Sequence, residues 1–177
     1  MSSRYFPEIA EWHIPRGAFS DSLREMSRDG FYGNESIVLW LGHRNNHAAR
    51  VTHLVAPRGP GVIKRPDLLR IDTSLFNEIT DAALRLGVTL IGHIHTHGPG
   101  YATDLSPTDQ EYGLSVPYYL SIVVPGYGLI KRTGITDCGI HVFDPGSGFR
   151  RLLPAELKQR IHMQRFRRSP LIVVGGK

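Results

Sequence analysis

Apolar positions along this chain follow two patterns, one repeating every three to four residues and one running unbroken or alternating. From Pro15 to Arg28, Phe19, Leu23 and Met26 fall on one helical face, and Asp29-Gly30 stops the pattern. Glu35 to Gly42 is apolar after its first two residues and rich in strand formers, which suits a central strand covered on both faces. Val51 to Ala56 reads as a second strand and Arg58-Gly59-Pro60-Gly61 as a loop. The clearest helix runs from Asp72 to Leu86. Leu75, Ile79, Ala82 and Leu86 recur at helical spacing, Asp72 or Thr73 can cap the start, and Gly87 ends it. Val88 to His97 then reads as a strand, and Ser106-Pro107 opens a short helix. Tyr118 to Val124 is an apolar strand closed by Pro125-Gly126. Ile130–Thr133 and Gly139–Phe143 look like further strands, with a turn at Asp144-Pro145-Gly146-Ser147-Gly148. Pro154 to Arg168 reads as a final helix, apolar at Leu157 and Ile161 and otherwise basic.

This alternation of helices and strands predicts an α/β (α+β) fold, a mixed sheet of about six strands flanked by helices. A length of 177 residues fits one globular domain, placed at 16–153, with an arm at 1–15 and a basic helix and tail at 154–177. The single cysteine, Cys138, excludes an intramolecular disulfide and a cysteine-rich structural zinc site. Met1 to Trp12 lacks the apolar core of a signal peptide, and no apolar run nears the roughly 18 residues of a membrane span, so a soluble, cytoplasmic protein with no membrane partner is expected. The net charge of +5 gathers partly in Arg150-Arg151 and in Lys158, Arg160, Arg165, Arg167 and Arg168. Such an excess permits an acidic partner or nucleic acid. A solvated helix face with a charged tail is the plainer reading, and nucleic acid is not expected as a partner.

Candidate chemistry concentrates in residues 91–109. If the run into His97 is extended, His93, His95 and His97 share a face, while Ile94 and Thr96 face the other way. Two imidazoles at His-x-His spacing can lean onto one metal ion, and a buried or surface histidine pair is the alternative. Beyond a glycine-rich bend, Ser106-Pro107-Thr108-Asp109 reads as a helix-capping box with Pro at the first helical position. Capping is compatible with Asp109 pointing at a metal from the first turn. A hydrolytic metal site also needs a proton acceptor and a donor where negative charge develops. Glu35, at the mouth of a predicted central strand, is the candidate base, with an exposed acid at a strand end as the alternative.

An upstream Glu, then His95-Thr96-His97, a bend, and Ser106-x-x-Asp109 resemble the JAMM motif of the MPN (JAB) metalloprotease family. Glu35 to Gly42 is similar to the family's first strand, and Leu90 to His97 to the strand that carries its histidines. The resemblance spans roughly residues 16 to 145. It implies a curved central sheet in a fold similar to cytidine deaminase. It also implies one zinc ion per chain held by His95, His97 and Asp109, with Glu35 as general acid/base and Ser106 as oxyanion donor. The activity implied is that of a zinc metallopeptidase. Its substrate would be an isopeptide or peptide bond at the C-terminus of ubiquitin or a ubiquitin-like protein, and conjugation-pathway enzymes would be further partners. The small size resembles stand-alone bacterial members.

Two features depart from the motif. Gly98 to Leu105 is eight residues where the family has seven, so a wider bend around an intact site is expected. His93 is an extra histidine, expected to be structural or to orient a ligand. Asp104 is a competing carboxylate, with Asp109 the expected ligand. The rivals are a catalytically inactive scaffold of the same fold and a basic nucleic-acid-binding protein. Zinc deaminases are excluded, because one cysteine cannot supply their Pro-Cys-x-x-Cys element.

Overall fold

A computed structural model describes residues 7–176, and no described helix is long and apolar enough to cross a membrane. The first half comprises β1 (Glu11–Pro15), α1 (Arg16–Gly30), β2 (Ile37–Arg44), β3 (Ala48–Pro57), β4 (Val62–Arg65), β5 (Leu68–Ile71) and α2 (Thr73–Leu86). It is followed by β6 (Thr89–Thr96), α3 (Pro107–Tyr112), β7 (Leu120–Val124), β8 (Gly139–Asp144), β9 (Gly148–Arg151), α4 (Pro154–Arg160), β10 (Ile161–Gln164) and β11 (Leu171–Val174). The expected α+β class holds. The main sheet is mixed and curled, in the order β10-β1-β3-β2-β6-β7-β8-β9, with β11 also pairing β3. It has nine strands rather than about six, and β4 and β5 form a separate hairpin.

The sheet is covered on both faces, as the unbroken apolar run of β2 requires. Val38, Trp40, Ile94 and Ile122 face one core with Phe19 and Met26 of α1. There the Trp40 indole N–H donates to Ser22 Oγ at 2.9 Å. Leu39 and Leu41 face the other core with Leu75, Ile79 and Ala83 of α2. That helix is capped by Asp72, which accepts from the Leu75 N–H at 2.7 Å, and ends at Gly87 in the left-handed conformation (φ 64°) that favours glycine. The alternation of β6 therefore puts Ile94 under α1 and His93 and His95 on the α2 side.

Several expected elements differ. Ile130–Thr133 is not a strand. The segment after β7 turns repeatedly, with Gly126, Tyr127, Gly128 and Arg132 all at positive φ, and Thr133 Oγ1 donates back to Ile130 O. The final helix stops at Arg160 instead of continuing to Arg168, because Ile161 to Gln164 pair with β1. The apolar spacing of Leu157 and Ile161 is helical, but the sheet edge takes the second of them. Of the arm expected at 1–15, residues 1–6 lie outside the described residues, and Glu11–Pro15 is β1, between β3 and β10. Similarly, Leu171–Val174 in the expected tail is a strand in parallel register with Leu54–Pro57.

Candidate metal centre

The carboxyl end of β6 delivers the histidines. Ile37 pairs with His95, and the ladder continues one step further. Ser36 N–H donates to Thr96 Oγ1 at 2.9 Å, and Thr96 N–H donates to Ser36 O at 3.0 Å. The Thr between the two histidines thus ties β6 to the residue after Glu35, and the register sets Glu35 opposite His97 on the same face. Glu35 is buried, and its own N–H donates to Arg65 O of β4 at 3.0 Å. Lys64 and Ser36 both bond Asp29 Oδ2, at 2.7 and 2.6 Å, which fixes this corner. His97 lies one residue past β6, held by its N–H to Val124 O at 2.9 Å and by Tyr127 N–H to its carbonyl at 2.7 Å.

The eight-residue bend then reverses the chain into α3. A Cβ on Gly98 would meet the Tyr127 hydroxyl at 2.9 Å, so the extra residue is accommodated as glycine. Ala102 O lies 2.8 Å from His97 Nδ1 and accepts its proton. Arg151 of β9 anchors the bend through Asp104 Oδ1 at 2.6 Å and Thr103 Oγ1 at 3.0 Å. Asp104, the competing carboxylate, is therefore engaged away from His95 and His97. At the start of α3 the capping box is complete. Ser106 Oγ accepts from Asp109 N–H at 3.0 Å, and Ser106 N–H donates to Asp109 Oδ2 at 2.7 Å. The Ser106 hydroxyl proton makes no hydrogen bond among the described residues.

His93 and two residues that sequence reasoning missed, Tyr119 and Ser121, complete the arrangement. On adjacent strands His93, Ser121 and His141 form one row. His95 Nδ1 lies 3.1 Å from His93 Nε2, which also receives Ser121 Oγ at 2.9 Å, and His93 Nδ1 lies 3.1 Å from Tyr119 Oη. All are buried. In the tautomer with His93 Nδ1–H donating to Tyr119 Oη, the single His93 Nε2 lone pair is shared between His95 Nδ1–H and the Ser121 hydroxyl. Burial and the neighbouring His95 depress the His93 pKa well below the usual histidine value, so it stays neutral and able to accept. Burial raises the Tyr119 hydroxyl. Burial also lowers His141 to about 4, with Arg151 adding to the effect. The triple alternation of histidines is visible in the sequence, but the partners on and beside β7 carry no short-range signal.

In that tautomer, and with His97 neutral and donating Nδ1–H to Ala102 O, both rings turn Nε2 lone pairs toward Asp109. His97 Nε2 is 3.0 Å from Asp109 Oδ2 and His95 Nε2 is 3.5 Å from Oδ1. His95 Nε2 is buried with no hydrogen-bond partner, the 3.5 Å approach being too long to serve. Two such nitrogens facing a half-buried carboxylate need a proton or a metal ion between them. These ligand atoms lie within 4.8 Å of one another and could hold one metal ion. The separations match the roughly 3.3 Å between ligand atoms implied by tetrahedral bonds of about 2.0–2.1 Å.

Charge within the centre is strongly coupled. Burial pushes the Asp109 carboxyl up, but positive charge or protons on the facing His95 and His97 rings, together with the Ser106 N–H, outweigh it and hold the group well below the usual carboxylate range. Burial likewise disfavours a charged His97, yet Asp109 and the Ala102 carbonyl raise its pKa overall. Burial lifts Glu35 to about 7, with His97 opposing and Asp109 and Asp67 reinforcing. A carboxyl near neutrality can both accept and return a proton. A cavity of about 200 Å³ opens beside the centre. It reaches His95 and Asp109 and is walled by Leu69, Phe76, Tyr112 and Phe149.

His93→Phe keeps the ring volume but leaves His95 Nδ1–H without an acceptor. Metal affinity in chelator competition should fall about 10- to 100-fold, with the melting transition retained. Unchanged affinity would make His93 a packing residue alone.

No family model matches this chain, and no curated protein matches it. Among solved structures it is similar to the solution structure of protein DSY2949 from Desulfitobacterium hafniense, with a TM-score of 0.63 and 13% identity. That match covers 87% of this chain and 93% of the other. At this identity the likeness concerns the fold alone.

Proposed function

We propose that this chain is a zinc metallopeptidase hydrolysing an isopeptide or peptide bond at the C-terminus of ubiquitin or a ubiquitin-like protein. The observation that carries the proposal is the meeting of His95, His97 and Asp109, with both ring Nε2 atoms turned toward the carboxylate and Glu35 opposite His97. The nitrogen and oxygen donors suit zinc, and three protein ligands leave a position for water, as hydrolytic centres require. The substrate class rests on the resemblance of Glu35, His95-Thr96-His97 and Ser106-x-x-Asp109 to the JAMM motif. A bound zinc ion would supply Lewis acidity, polarising a carbonyl and making water more acidic.

The protein side chains have separate tasks. Glu35 takes the proton as the water oxygen bonds to the carbonyl carbon. As the carbon–nitrogen bond breaks, Glu35 passes that proton to the leaving amine. Ser106, whose oxygen is engaged by Asp109 N–H, still has its hydroxyl proton to donate to the carbonyl oxygen as negative charge develops there. The apolar cavity holds substrate side chains and keeps bulk water from the reacting groups.

Fusions carrying a cleavable segment after the C-terminal glycine of several ubiquitin-like proteins, incubated with and without a chelator, test the activity. Chelator-sensitive release with a new C-terminal glycine by intact mass is expected. Absence of cleavage across the panel would favour the inactive scaffold. Ser106→Ala should slow cleavage about 10²- to 10³-fold. A loss of about 1 kcal/mol in stability with full activity would reduce Ser106 to a cap.

A further inference from the structure

The excess positive charge has a defined location that the expected basic helix obscured. Strand β3 is paired along one side by β1 at Ala48–Arg50 and by β11 at Leu54–Pro57. Val51 to His53 lie in the gap between them, and opposite this gap the β2 register slips between Leu41 and Gly42. The chain from β10 to β11 crosses here, held where Leu54 N–H donates to Pro170 O at 2.9 Å and where Gly17 packs against the Arg167 backbone. Between the crossing segment and the sheet is a groove of about 870 Å³. It lies at the far end of β2 and β3, away from Glu35 and the histidines of β6.

The lining of this groove contains no Asp or Glu. It contains Arg50, Arg165, Arg167 and Arg168, with His43 and His53. Elsewhere Arg24, Arg58, Arg150, Arg151 and Arg160 pair with carboxylates. None of the four groove arginines has a carboxylate partner among the described residues. Phe166, 66% exposed, stands between Arg165 and Arg167. Uncompensated guanidinium groups, alternating with a flat exposed ring, match a strand in which phosphates and bases alternate. An acidic polypeptide would satisfy the charges but offers no regular aromatic face to Phe166.

We propose that this groove binds single-stranded nucleic acid, with Arg50, Arg165, Arg167 and Arg168 on phosphates and Phe166 stacked on a base. This is a second site, independent of the metal centre and of the proposed peptidase activity.

Fluorescence anisotropy of the full chain with a labelled oligouridylate of about twelve nucleotides tests it. Binding should weaken steeply with salt. Arg165→Ala/Arg167→Ala should weaken it at least tenfold and make the salt slope shallower by about 0.7 for each phosphate left without its arginine. Phe166→Ala should weaken binding about tenfold with the salt slope unchanged. Metal content and melting temperature of these variants serve as the controls for folding. Several results would overturn the proposal: no binding at low salt, equal affinity for polyglutamate, or duplex bound as tightly without dependence on Phe166.

Discussion

Glu35→Gln should keep the full metal content and lose turnover by about 10²- to 10⁴-fold. The substitution is nearly isosteric, and the backbone that places residue 35 does not use the side chain. It is held by Glu35 N–H to Arg65 O and by the paired bonds between Ser36 and Thr96. The three candidate ligand residues do not include Glu35, so their geometry persists. What disappears is a buried carboxyl, lifted to about 7 chiefly by burial, that can take a proton from water and return it to an amine. Steady-state cleavage measured beside elemental analysis separates the two effects. An active Glu35→Gln protein removes Glu35 from the mechanism. A Glu35→Gln protein lacking metal makes it a ligand instead.

Asp109→Asn has the opposite signature. Metal affinity should fall by more than the roughly 100-fold that loss of a supporting hydrogen bond would cause, and activity with it. Among the described residues, Asp109 is the carboxylate that meets both imidazole Nε2 atoms, and the neutral amide neither balances a dication nor keeps two acceptor oxygens. The α3 cap uses the same side chain, because Ser106 N–H donates to Oδ2. The amide oxygen can still accept that bond, so the melting temperature should move little beside the change in metal binding. Chelator competition and thermal melting on one preparation resolve the two. Wild-type affinity in Asp109→Asn would remove Asp109 from the ligand set.

How much of this was legible from the chain varied with the range of the cause. The α2 helix, from its Asp72 cap to Gly87, is governed by local spacing and emerged as expected. So did β2 and β6, whose apolar content reflects burial between two layers. The short edge strands did not. Glu11–Pro15, Ile161–Gln164 and Leu171–Val174 are four or five residues long and become strands only because partners lie beside them. Ile130–Thr133 failed for the converse reason, since neighbouring positive-φ residues turn the chain before a strand can form. At the candidate site, spacing selected His95, His97, Ser106 and Asp109, and the structure brings these residues together. The place of His93 against Tyr119 and Ser121 depends on β6–β7 register, which no local pattern encodes. The eight-residue bend works through Gly98 against Tyr127 and through Arg151, which reaches Asp104 from 47 residues away.

All of the proposed chemistry depends on a single divalent-metal centre made by His95, His97 and Asp109. Calorimetric titration of zinc into the chelator-treated full chain measures it directly. One ion should bind per chain, with Glu35→Gln indistinguishable from wild type in stoichiometry. Absence of saturable binding, or the same one-to-one isotherm in a protein carrying both His97→Ala and Asp109→Asn, would contradict it.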